Sequence, residues 1–136
     1  MKTVNKIKSA LVLTTITTLV GCTTVADMAG YDTATLNTNA AKSYSQVVSK
    51  ANGQGAVDNT SATAIRVKRV FERMKPYAVR ANTTGVPFDW QVTVIRSPEL
   101  NAWAMPGGKM AFYTGIVEQL QLTDAEIAAI MGHEMT

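Results

Sequence analysis

The stretch "LTDAEIAAIMGHEMT" (Leu122–Thr136) decides how this chain is read. Thr123 and Glu126 stand in the T-x-x-E spacing of a capping box. In that motif the threonine hydroxyl accepts from the amide at the third helical position, and the glutamate reaches back to the cap's own amide. Asp124 adds negative charge where the helix dipole favours it. Ile127, Ile130 and Met131 then recur on one face. The spacing predicts a helix that enters the core and carries His133 and Glu134 on its third turn. Gly132 interrupts it at a cost of about 1 kcal/mol relative to alanine, which predicts a close neighbour there.

His133 and Glu134 followed by two residues form the front of H-E-x-x-H. In that motif two histidines four residues apart share a helical face and reach one Zn²⁺. The intervening glutamate takes a proton from the metal-bound water. His133 is then the candidate ligand and Glu134 the candidate base, and the second histidine would be the residue after Thr136. His133 is the only histidine in the chain, and no upstream acid is placed by spacing as a third ligand. Taken alone, a helical histidine is more often a packed or capping residue than a ligand, so the pair draws its meaning from what precedes it.

Upstream, "FDWQVTVI" (Phe88–Ile95) alternates apolar with polar residues and is rich in β-branched and aromatic types, which predicts a strand. "NAWAM" (Asn101–Met105) and "KMAFY" (Lys109–Tyr113) flank "PGG" (Pro106–Gly108), so a β-hairpin and at least three strands are expected. Gly115–Leu122 reads as a short helix packing through Ile116, Val117 and Leu120. A longer helix should start at Asn59 or Thr60 and bury Ile65, Val67, Val70, Phe71, Met74, Tyr77 and Ala78. Pro76 should end or kink it. An earlier helix from Leu36 to Ala51, closed by "NGQG" (Asn52–Gly55), has a thin apolar stripe suited to the domain edge. The expected class is α+β.

Of 136 residues, 46% are hydrophobic and 17% charged, the profile of one small globular domain. The net charge of +3 is misleading. Three of the 13 basic residues (Lys2, Lys6, Lys8) fall in residues 1–21, and the ten that remain balance ten acids. No overall basic footprint for nucleic acid exists. The run of Arg66, Lys68, Arg69, Arg73 and Lys75 is accordingly read as a solvated helix face rather than a nucleic-acid or lipid contact.

The lysines belong to "MKTVNKIKSALVLTTITTLVGC" (Met1–Cys22), in which Ala10–Val20 is apolar or threonine-rich and uncharged. That is too short to span a bilayer and fits a secretory signal. Its end, "LVGC" (Leu19–Cys22), resembles the lipobox of bacterial lipoproteins. The resemblance implies cleavage before Cys22 and lipid attachment to it, hence a membrane partner. Thr23 in place of Asp implies sorting to the outer membrane, on its periplasmic face. Cys22 is the only cysteine, so no internal disulfide forms.

From roughly Phe71 to Thr136 the chain resembles the segment leading into the active-site helix of HtpX-like and YggG-like zinc metallopeptidases, in particular their bacterial lipoprotein branch. "NAWAMPGGK" (Asn101–Lys109), "YTG" (Tyr113–Gly115) and "LTDAEIAAIMGHE" (Leu122–Glu134) carry the likeness. It implies a zincin-like fold, one Zn²⁺ per complete domain, and endopeptidase action on unfolded or misfolded envelope proteins. By position, His133 would bind zinc and Glu134 act as base. Asn101, Ala102, Trp103, Ala104 and Met105 would form a strand near the cleft, open to substrate by strand addition, with Trp103 equally a core residue. The implied organisation is a leader over 1–21, a tether and edge helix over 22–58, and the N-terminal half of the peptidase domain over 59–136. The second histidine and a downstream glutamate ligand are absent, so the chain reads as incomplete. Such a piece is expected to leave Ile127, Ile130 and Met131 uncovered. The alternative is a non-catalytic envelope lipoprotein serving as a binding or scaffold module.

Overall fold

Asp32 opens the first helix, α1 (Thr33–Gly53), its carboxylate accepting from the Thr35 amide at 2.8 Å. The computed structural model describes residues 32–136, so the leader and Cys22 lie outside the described residues. Among the described residues no helix is long and apolar enough to cross a membrane. Ala40, Tyr44 and Ala51 are the buried side chains of α1. This thin stripe suffices to lay the helix across one face of the sheet rather than merely at its margin. The Tyr44 hydroxyl donates to the Met110 carbonyl at 3.0 Å and shares a hydrogen bond with the Thr93 hydroxyl.

The second helix, α2 (Ala62–Ala81), starts later than the sequence suggests, with Ser61 as its cap. The buried Asp58 carboxylate accepts from the amides of Thr60 and Ser61 and from the Ser61 hydroxyl, which holds residues 58–61 in a turn before the helix. Ser61 Oγ in turn accepts from the Ala64 amide. Pro76 does not end α2. It lies on the exposed side, as does Glu72, whose carbonyl loses its helical partner where water can replace it. Val67, Val70, Phe71 and Ala78 face the core as expected, but Ile65 and Tyr77 are 53% and 68% exposed.

Strands β1 (Gln91–Ile95), β2 (Ala102–Met105) and β3 (Lys109–Tyr113) form a mixed sheet in the order β1-β3-β2. The β2–β3 pair is the expected antiparallel hairpin, with Met105 opposite Lys109. β1 runs parallel to β3 and begins at Gln91 rather than Phe88, because its partner begins only at Lys109. Phe88 and Trp90 nevertheless join Val92, Val94, Met110 and Phe112 on the face covered by α2. On the opposite face Ile95, Ala111, Trp103 and Tyr113 pack with Ala51 of α1.

A short helix, α3 (Thr114–Gln119), follows β3 directly. Gly115 is required there: an added Cβ would lie 2.4 Å from the Pro98 carbonyl group. Val117 is buried, but Leu120, expected to pack, is exposed because α3 stops at Gln119. Gln121 takes a left-handed backbone (φ 49°) and returns the chain inward, so Leu122 packs instead. The final helix, α4 (Asp124–Glu134), carries the complete capping box, Thr123 Oγ1 accepting from Glu126 N at 3.2 Å and Glu126 Oε2 from Thr123 N at 2.7 Å. Ile127 and Met131, expected to be uncovered, are fully buried, and Ile130 is partly so. The residues upstream suffice to cover them, because α2 lies along α4.

Candidate active site

The last turn of α4 brings His133 and Glu134 to the mouth of a cleft of about 300 Å³. His133 is exposed and Glu134 half-buried. The opposite wall is the end of β2 (Ala104, Met105) with the turn Pro106–Gly108, and the floor includes Phe88, Trp90 and Met110. Gly107 and Gly108 have φ of 87° and 89°, a backbone that glycine alone adopts cheaply. An added Cβ at Gly108 would lie 2.8 Å from Trp90 Cδ2, so the turn runs close against the aromatic floor. Phe88 supports Trp90 from 5.6 Å, ring centre to ring centre.

Lys109 holds this wall. Its ammonium is buried and donates to the carboxylate and main-chain carbonyl of Asp89, tying the start of β3 to the loop before β1. The sequence reading missed Lys109, Trp90 and Phe88 as parts of the cleft. The signal available was "PGGK", since paired glycines mark a close approach of backbone to a neighbour.

β2 is an edge strand, bonded to β3 on one side. Of the five residues expected near the cleft, Ala104 and Met105 line it. Asn101 precedes the strand and its carbonyl accepts from the Tyr113 amide. Ala102 packs on the core below. Trp103 turns to the α1 face, where its indole N–H donates to Tyr113 Oη at 3.3 Å and its ring meets Tyr44 edge-on. Gly132 is less crowded than expected: an added Cβ would touch only Met74 Cε, at an ordinary 3.5 Å.

The donor chemistry is one ligand of the three a catalytic zinc site takes from protein. His133 offers one imidazole. Glu134, the next residue on the helix, points roughly 100° away and so cannot readily chelate the same ion. Among the described residues no three His, Cys, Asp or Glu side chains converge. Residues 32–136 therefore do not make up a metal centre by themselves.

The profile of peptidase family M48 matches residues 61–136. The chain is similar to the mitochondrial metalloendopeptidase OMA1 of Arabidopsis thaliana, 34% identical over 45% of this chain and 12% of that protein. It is similar to the OMA1 of Schizosaccharomyces pombe, 30% identical over 67% of this chain and 25% of that protein. It also resembles the metalloprotease YcaL of Escherichia coli, 27% identical over 77% of this chain and 39% of that protein. The chain thus spans well under half the length of these relatives. No solved structure matches it significantly.

Proposed function

The chain belongs to peptidase family M48, and on that premise we propose that it is the front part of a zinc-dependent metalloendopeptidase of the bacterial cell envelope, in the lipoprotein branch of HtpX-like and YggG-like enzymes. One observation carries the reading: His133 and Glu134 stand together at the mouth of a cleft walled by the hairpin turn and the end of an edge strand. His133 is one zinc ligand and Glu134 the general base, which accepts a proton from the attacking water and passes it to the leaving amine. The remaining ligands, a second histidine and a carboxylate, come from outside these 136 residues. Zinc, when bound, supplies Lewis acidity. The outer backbone of β2 receives the peptide substrate as an added strand. The substrates are unfolded or misfolded envelope proteins. Lipid on Cys22 holds the enzyme at the periplasmic face of the outer membrane.

The test is the complete gene product. One zinc per chain and cleavage of casein are expected, with both lost in His133→Ala. Stoichiometric zinc retained in His133→Ala would sink the ligand assignment. Absence of both zinc and cleavage from the wild type would favour the second reading, a non-catalytic lipoprotein acting as a binding or scaffold module. The lack of three converging ligands among the described residues is what keeps that reading in view.

A further inference from the structure

Six of the ten basic residues outside the leader lie on α2: Arg66, Lys68, Arg69, Arg73, Lys75 and Arg80, against a single acid, Glu72. At about 100° per residue, Arg66, Arg69, Arg73 and Arg80 fall within a sector of roughly 60°. That sector lies away from the buried face of Ala64, Val67, Val70, Phe71 and Ala78. Asp124 is shared by Arg66 and Arg69, at 3.0 Å from each, so the acids close by do not balance the cations. Two large apolar side chains flank that sector and are exposed, Ile65 at 53% and Tyr77 at 68%. The Arg80 guanidinium lies 4.7 Å above the Tyr77 ring.

An exposed isoleucine and tyrosine beside clustered arginines gain nothing from water. An anionic bilayer surface suits this mixture through Arg69, Arg73 and Arg80, while Arg66 is half-buried and bonded to Asp124 and the Leu122 carbonyl. Guanidinium groups pair with lipid phosphates, the tyrosine ring sits at headgroup level, and Ile65 reaches the acyl boundary. We propose that the outer face of α2 docks the folded domain onto an anionic lipid bilayer. Nucleic acid fits less well, because it offers nothing to Ile65 and the chain outside the leader is neutral overall. The docking face does not depend on lipid at Cys22.

The test uses the full chain with Cys22→Ser and Tyr77→Cys, carrying a nitroxide at position 77, added to vesicles. On mixed phosphatidylglycerol–phosphatidylcholine vesicles the label should enter the headgroup region, read as increased collision with oxygen and decreased collision with a water-soluble quencher. On phosphatidylcholine alone it should stay in water, as should a label at Lys42→Cys on α1 under both conditions. Reversing Arg69, Arg73 and Arg80 to glutamate should lower the immersed population by about a hundredfold. Replacing them with lysine should preserve immersion and control for folding. A label at 77 that stays in water on anionic vesicles overturns the proposal, even if the leader binds them. So does equal immersion in both lipids, or shielding by duplex DNA without shielding by vesicles.

Discussion

Lys109, 4% exposed, donates its ammonium to the Asp89 carboxylate at 2.8 Å and to the Asp89 carbonyl at 2.5 Å. A buried cation is tolerated because two oxygens replace its water, and the bond locks the turn that walls the cleft to the loop before β1. The hydrogen bond from Lys109 holds the Asp89 carboxyl below the usual carboxylate range; partial burial opposes this, and the lysine's charge and Gln91 reinforce it. A depressed folded pKa adds stability that is present above the unfolded value, about 4. That stability is lost as pH falls through the lowered value. Asp89→Asn should cost only about 0.5–1 kcal/mol at neutral pH, because the Asp89 side chain is 74% exposed and water screens the pair, and should flatten the acid limb of stability. Urea unfolding at pH 7 and pH 3 would reveal it; an equal loss at both would refute the linkage.

Gly108→Ala places a methyl 2.8 Å from Trp90 Cδ2 and 3.2 Å from Trp90 Cα, on a backbone of φ 89°. The tryptophan's own backbone cannot yield as a flexible side chain would. Overpacking and the left-handed backbone together should cost about 2–4 kcal/mol, with a shift in Trp90 fluorescence as the cleft floor moves. A thermal melt unchanged from the wild type would contradict this contact.

Tyr44→Phe removes the phenol that joins α1 to the sheet through Thr93 and the Met110 carbonyl. Losing these side-chain bonds should cost about 0.5–1.5 kcal/mol. Burial raises the Tyr44 phenol above its ordinary value, against the opposing bond to Thr93. Its stability contribution is therefore intact below pH about 10 and falls as pH rises further. The alkaline limb of denaturation should be shallower in the variant.

Gly132→Ala should stabilise this chain by up to about 1 kcal/mol, because the helix gains an alanine and the new methyl meets only Met74 Cε at 3.5 Å. Chemical denaturation measures it, and a loss of stability would reveal a neighbour at that position.

Glu134→Gln in the complete protein should lower kcat by about 10²–10⁴-fold while leaving KM for a peptide substrate and zinc content near wild type. Loss of zinc in this variant would recast Glu134 as a ligand or structural residue. Full activity would remove it from catalysis.

Local chemistry was readable in the sequence. T-x-x-E set the start of α4, Pro106–Gly108 the hairpin, and alternation the inward face of Trp90, Val92 and Val94, because each depends on neighbours within a few residues. His133 and Glu134 could be placed on the last turn of α4 by counting. Helix ends were less legible: Asp58 organises the entry to α2 through three hydrogen bonds, and Pro76 passes because Glu72, whose carbonyl it leaves without a helical partner, lies on the exposed side. What only the tertiary structure decided is long-range. The parallel pairing of β1 with β3, the laying of α1 on the far face of the sheet, and the burial of Lys109 against Asp89 join residues 18 to 66 apart. Periodicity states which face of an element is apolar, not which partner covers it. That choice is made by the packing of the whole domain, and it turns a histidine–glutamate pair into one wall of a cleft.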